Sequence, residues 1–212
     1  MSIELTFAQL LQRCRAGDKA AGEQLFGRYR HYLWLLAQAQ LGRLVRAKSD
    51  ASDIVQMTML EAHRDFQQFS GKEEAELLAW MRRILSHNLF NEHRRYTAKR
   101  RAAAREVSLD QVCSGVEHSS VSLGKGLADQ SPRPSQLALK RESAVAIADV
   151  LAQLPDDYRT VLMLRILEGA SAEEVAERMG RTAGAVRMLQ LRALGAMRKL
   201  MAEKSGDKES TG

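Results

Sequence analysis

Only two cysteines occur in 212 residues, and Cys14 and Cys113 stand far apart without metal-ligand spacing. That excludes a disulfide framework and a zinc knuckle, and it fits a reducing compartment. No apolar run approaches the roughly 20 residues that a bilayer span needs, and the first residues lack the charged-then-apolar pattern of a secretion signal. The sequence therefore predicts a cytoplasmic protein with no membrane insertion. No strand pattern of useful length and no internal repeat is present. The loops that cradle phosphate (GxxxxGKS/T, or GxGxxG after a strand) are missing, as is the GxSxG nucleophile elbow. The five histidines, His31, His63, His87, His93 and His118, are scattered and none falls in an HExxH pattern, so no metal site, no cofactor and no catalytic centre are expected.

What is present is helix and clustered charge. The 45% apolar content is enough for real cores, and the formal charge of +6 is unevenly placed, with basic runs at Lys99 to Arg105 and Arg181 to Lys199. The stretch Ser171 to Leu200 predicts a complete helical hairpin. Ser171 with Glu174 makes a capping box, Gly180 suits a left-handed helix stop, and Thr182 caps the next helix. Val175, Ala176 and Met179 form the inner face of the first helix, and Val186, Leu189, Ala193, Met197 and Leu200 that of the second. The outer surface carries Arg187, Met188, Arg192 and Arg198, with Arg181 in the turn and no acidic residue from Arg181 to Lys199. A hairpin with a short glycine turn and a cationic second helix fits a DNA-reading helix-turn-helix, although a solvated outer face is the plainer alternative.

Upstream, a short helix is expected from Thr6 to Arg15, then a longer one starting at Asp18 with Leu25, Tyr29, Leu33 and Leu36 on one face. Ser49 or Ser52 is expected to cap a helix from about Asp53 to Gln68. There Val55, Met59, Ala62, Phe66 and Phe69 face inward while Asp53, Gln56, Met57 and Arg64 face outward. Gly71 marks a turn. The segment Glu76 to Arg101 carries apolar residues early (Leu77, Trp80, Met81, Ile84, Leu85) and charge late. Phe90 and Tyr96 lie among Asn88, Asn91, His93, Arg94 and Arg95, a mixture able to hold phosphate and stack on exposed bases. Residues 106–135 turn to serine, glycine and proline and read as a flexible linker; a coil of that length has a root-mean-square span of roughly 30 Å and a maximum of about 100 Å. Beyond it, Leu137, Val145, Ala148, Leu151 and Leu154 mark a helix stopped near Pro155, and Tyr158, Val161, Leu162 and Leu164 another ending before Gly169.

The expected fold is all-α: two small helical domains, residues 1–105 and 136–204, joined by the flexible linker 106–135, with a helix-turn-helix in the second domain and a disordered tail at 205–212. This order of parts resembles the small two-domain extracytoplasmic-function (ECF) group of alternative sigma factors, in the sigma-70 family of bacterial RNA polymerase. SDASDIVQMTMLEAHRDFQQFSG is similar to the family's polymerase-binding helix. LLAWMRRILSHNLFNEHRRY is similar to its promoter-melting and minus-ten helix. LPDDYRTVLMLRILEGASAEEVAERMGRTAGAVRMLQLRAL is similar to its minus-thirty-five domain.

The resemblance implies an initiation subunit, not an enzyme, with core RNA polymerase and promoter DNA as partners and an anti-sigma factor as the further partner that family members commonly have. Asp53 and Gln56 would contact the clamp coiled coil of the largest polymerase subunit. Asn88, Arg94 and Arg95 match minus-ten positions. The loop from Phe69 to Glu74, Ser70 included, with Asn91, Tyr96 and Lys99, would complete that grip. Arg181, Thr182, Gly184, Arg187, Met188 and Arg192 would meet the minus-thirty-five element. Two departures stand out: Met57 and Met59 replace residues that are often acidic and Phe, and Asn91-Glu92 replaces a small-then-Asp pair. The other reading of the same residues is an autonomous helix-turn-helix regulator, which would have no use for the stretch from Asp53 to Tyr96.

Overall fold

The computed structural model describes residues 5–44, 50–100, 107–125 and 139–209, and among these there are ten α-helices and no strand. The chain forms two compact units, Met1–His118 and Ser119–Gly212.

In the first unit α1 (Phe7–Arg15) starts at Thr6, whose hydroxyl and the Gln9 side chain form a capping box. Asp18 caps α2 (Lys19–Gly27) by accepting from the Ala21 amide at 3.1 Å. The single long helix expected from Asp18 is instead two, α2 and α3 (Arg30–Leu44). The chain breaks at Arg28 and Tyr29, which take different tertiary partners: the Arg28 guanidinium donates to the Leu5 carbonyl, and the buried Tyr29 hydroxyl donates to Glu74 Oε1 at 2.9 Å. Asp50, rather than Ser52, caps α4 (Ala51–Asp65), accepting from the Ser52 amide at 2.9 Å; Ser49 lies outside the described residues. The inward face of α4 is Ala51, Ile54, Val55, Thr58, Met59 and Ala62, packed against α3 and α5 (Glu74–Arg100). Leu33, Leu36, Leu77, Met81 and Leu85 fill the middle of the core.

A chain of ring contacts carries this core to the loop before α5. Phe26 meets Phe66 edge-on at 5.5 Å, Phe66 meets Phe69 at 6.0 Å, and Phe69 lies against Trp80 at 5.3 Å. Gly71 is needed here because a Cβ would fall 2.5 Å from the Phe69 ring and 2.9 Å from Glu76 Cβ. The amides of Lys72 and Glu73 donate to Glu76 Oε2 at 2.7 and 2.9 Å, which starts α5 and holds that carboxyl below its ordinary range.

The flexible linker expected at 106–135 is corrected over much of its length. Residues Leu109–Lys125 form a helix, α6, opened by a capping box in which Ser108 Oγ accepts from the Gln111 amide (3.2 Å) and Gln111 Oε1 accepts from the Ser108 amide (3.1 Å). Its buried stripe is Val112, Val116, Ser119 and Leu123, a spacing of four, three and four. Arg82 and the close approach at Gly115 tie α6 to the first unit. The buried Arg82 of α5 donates to Glu117 Oε1 at 2.6 Å and to the Tyr32 hydroxyl of α3 at 3.1 Å. Gly115 comes so close to α3 that a Cβ would stand 2.4 Å from Gln40 Oε1. The first unit therefore runs past the expected boundary at 105. Residues 126–138, Leu137 among them, lie outside the described residues.

In the second unit α7 (Leu139–Gln153) buries Ala144, Ile147, Ala148 and Leu151, with Val145 half-buried. Pro155 then precedes α8 (Asp156–Leu162), which passes into a π-helical turn at Met163–Leu167. Gly169, at φ 67°, lets the chain turn toward α9 (Ala172–Met179) and α10 (Ala183–Glu209). The disordered tail expected from 205 is corrected in part, because the helical backbone continues to Glu209. The turn that leads into it is built from good helix formers, Met201, Ala202 and Glu203, with Lys199 and Glu203 one turn apart at 4.0 Å, whereas Ser205, Gly206 and Asp207 have low helix propensity of their own.

The tie to α6 is testable. Glu117→Ala removes the carboxylate from a buried guanidinium and should destabilise α6 docking by about 1–3 kcal/mol. Combining it with Arg82→Met should cost less, because no charge is then left stranded. Gly115→Ala should also loosen α6, although alanine favours a helix by about 1 kcal/mol over glycine. Amide hydrogen exchange across α6 measures all three; unchanged protection would show that these contacts do not hold the helix.

Candidate nucleic-acid interface

The hairpin α9 and α10 has the geometry that its sequence predicts. Ser171 Oγ accepts from the Glu174 amide at 3.1 Å, and Glu174 Oε2 accepts from the Ser171 amide at 2.7 Å. These Ser171 contacts hold the Glu174 carboxyl below its ordinary range. Gly180 sits at φ 62° and ψ 37°, in the left-handed region that closes a helix, and Thr182 Oγ1 accepts from the Ala185 amide at 3.2 Å to open α10. Arg165, in the π-helical turn, braces the unit from behind. Its guanidinium donates to the Ala170 carbonyl before α9 and to Gln190 Oε1 of α10 at 3.1 Å.

With Val186, Ala193, Leu194 and Met197 turned inward, α10 presents Gly184, Arg187, Met188 and Arg192 to solvent. Arg181 and Thr182 are exposed at its start. Two carboxylates from neighbouring elements reach this surface, which sequence reading along α10 alone could not reveal. Asp157 of α8 pairs with Arg181, and Glu173 of α9 pairs with Arg187 at 2.8 Å. Both pairs are well exposed, and such pairs are worth no more than about 1 kcal/mol. Sequence reading also missed Leu191, which is 63% exposed beside Met188. Its signal was available: 184, 187, 188 and 191 repeat at helical spacing.

In the first unit, α4 and α5 enclose a groove lined by Asp50, Asp53, Met57, Asn88, Asn91 and Arg95, among others. It brings Asp53, from the expected polymerase face, next to three residues expected at the minus-ten element. Asn88 is half-buried, and its amide donates to Thr58 Oγ1 at 3.3 Å and Glu61 Oε2 at 3.2 Å, tying the two helices together. Asn91 is exposed, and exposed Arg95 lies 3.9 Å from Glu92. Arg94 points elsewhere, over the Phe90 ring at 5.8 Å, and Tyr96 is half-buried. Lys99 lies near the end of α5, and its side chain is outside the described residues.

Phe69 takes the inward position expected from the apolar stripe of its helix. It is buried between Phe66 and Trp80, so it supports its loop from within, while Ser70 next to it is exposed. Asp53 and Gln56 are both exposed on α4, off its buried face. Beside them stand Met57, 46% exposed, and Leu60, 61% exposed, the second of which sequence reading had not singled out.

Comparison with known proteins identifies the family. Residues 144–197, from within α7 through α8 and α9 to Met197 of α10, match the family model for sigma-70, region 4. The ECF RNA polymerase sigma-E factor of Haemophilus influenzae is 32% identical over 195 residues, 91% of this chain and 94% of that protein. The RNA polymerase sigma-H factor of Pseudomonas aeruginosa is 28% identical across 91% of this chain and 92% of its own. The ECF RNA polymerase sigma factor SigD of Mycobacterium tuberculosis is 30% identical across 84% and 76%. With a relative above 30% identity along nearly its whole length and a match to the sigma-70 region 4 model, the chain belongs to the ECF group of the sigma-70 family, the alternative sigma factors that direct RNA polymerase at transcription initiation.

Proposed function

We propose a division of labour within this sigma factor. The outward face of α4 docks on core polymerase, with Asp53 and Gln56 as its polar contacts and Met57 and Leu60 as its apolar centre. The Ser70 loop and the α5 residues Asn91, Arg94, Arg95, Tyr96 and Lys99 take the minus-ten element as partly single-stranded DNA. The N-terminal half of α10, with Arg181 and Thr182, reads the minus-thirty-five element as duplex. The protein acts by binding, without a catalytic centre of its own, and works in the cytoplasm where polymerase and promoter are.

The observation that carries this reading is the exposed stripe Gly184, Arg187 and Met188 at the start of α10, opposite a fully buried face. The N-terminal end of such a helix is the part that meets base edges in the major groove. Magnitudes favour exchange at Arg187. Its exposed pair with Glu173 is worth at most about 1 kcal/mol, whereas a bidentate arginine to guanine gives about 1–3 kcal/mol of discrimination. Arg198, further along, meets phosphate. The direct test is addition of the purified protein to core polymerase on a promoter library. Promoter-specific transcripts support the proposal, and DNA binding without any effect on polymerase would favour an autonomous regulator.

Three variants refine the assignment. Replacing Asp53 and Gln56 together by Ala should change stability by under about 0.5 kcal/mol per site, since both are exposed, yet weaken core binding about tenfold or more. Arg187→Ala should relax preference at one or two minus-thirty-five positions, whereas Arg198→Ala should weaken binding evenly and lower the salt slope by about one unit. Glu173→Gln should leave the melting temperature unchanged and tighten promoter binding, by up to about fivefold. Competition binding at several salt concentrations reads the last two. A fall in affinity for Glu173→Gln would mean that the carboxylate orients Arg187 rather than competing for it.

A further inference from the structure

Two large apolar side chains remain on the outside of α10 after its core is complete. Val186, Ala193 and Met197 are fully buried on the inner face, so Met188 at 52% exposure and Leu191 at 63% add little to the packing of the unit. They lie one turn apart and share a face with Gly184, where a side chain would have met nothing within 4 Å. Arg181, Arg187 and Arg192 lie on or beside this face, the first two paired with Asp157 and Glu173 of other helices, and α10 itself carries no acid before Glu203. An apolar pair in a cationic frame suits a partner that is anionic outside and apolar within. Duplex DNA has that character, because its phosphates flank a major groove whose one apolar feature is the thymine methyl.

We infer that Met188 and Leu191 read thymine methyl groups in the minus-thirty-five element. The inference rests on α10 being the helix that enters the groove, as proposed above. Three residues of helix advance about 4.5 Å, and successive base pairs are about 3.4 Å apart, so the two side chains reach neighbouring base pairs. Gly184, nearer the N-terminal end, lets the helix backbone come close to the groove floor. Arg187, between Gly184 and Met188, is placed for an adjacent guanine. The recognised element therefore combines a guanine contact with thymines beside it. Arginines alone would not select those thymines.

Uracil isolates the proposed contact, because it pairs as thymine does and lacks only the methyl. The full-length protein with core polymerase first selects its promoter from a random library, and each thymine of the minus-thirty-five element, on either strand, is then replaced by uracil. One or two replacements should weaken binding about fourfold each, the fold-change that corresponds to about 0.8 kcal/mol for one buried methyl group. Met188→Ala should abolish the difference between thymine and uracil at one position and Leu191→Ala at its neighbour, while Arg187→Ala keeps both differences. Both side chains are exposed, and unchanged melting temperatures confirm that the variants fold.

Uracil that is neutral at every thymine, or a difference that survives both variants, overturns the inference while leaving α10 as the reading helix. So does a selected element without thymine. A library that returns no minus-thirty-five preference at all removes the parent reading, and this inference with it.

Discussion

Everything that the second unit presents to DNA depends on one backbone conformation, the left-handed turn at Gly180. It ends α9 within a single residue, returns the Arg181 amide to the Ala176 carbonyl at 2.9 Å, and leaves room only for Arg181 and Thr182 before α10 begins. Any residue with a Cβ would be strained at this φ. The short turn fixes the rotation of α10 about its own axis. That rotation sends Val186 and Ala193 inward, and with them Arg187, Met188 and Leu191 outward. A looser turn would have left the register of the outer face to side-chain packing alone.

Where local chemistry decides structure, the chain could be read directly. The Ser171 and Glu174 box, the Asp18 cap and the Gly180 stop involve residues within a few positions of one another, and each occurs as its spacing predicts. The outward placement of Asp53 and Gln56 followed from simple periodicity, because α4 has one continuous apolar stripe. The misreadings involve distant partners or disguised patterns. The break between α2 and α3 depends on Arg28 reaching Leu5 and Tyr29 reaching Glu74, and nothing in the local sequence announces either contact. The helix α6 was hidden by its serines and glycines. Its buried stripe includes Ser119, and its closest approach to α3 is made by Gly115, a residue that ordinarily signals a turn. The capping box of Ser108 and Gln111 was the local sign of it.

The candidate site was legible in part for the same reason. Positions on one helix face can be counted from the sequence, so the basic outer face of α10 was accessible. Its acidic partners were not, because Asp157 and Glu173 belong to other helices and approach only through the fold. Phe69 shows the converse difficulty. An aromatic residue beside a functional loop can stack on a base or support the loop, and the ring contacts to Phe66 and Trp80 assign it to support.

On the reading proposed for α10, the pairing of Glu173 with Arg187 sets an internal threshold of at most about 1 kcal/mol. The guanidinium is already engaged before any duplex arrives, so a random stretch of DNA must outbid a nearby carboxylate to recruit it. Most sequences offer only phosphate attraction, which the rest of the helix can satisfy while Arg187 stays with its own protein. A chromosome presents on the order of 10⁶–10⁹ competing sites, and such a subunit benefits more from ignoring poor sites than from gripping good ones harder. An exposed ion pair of little value to folding thus biases, by up to about fivefold, which sequences draw Arg187 away from its own protein.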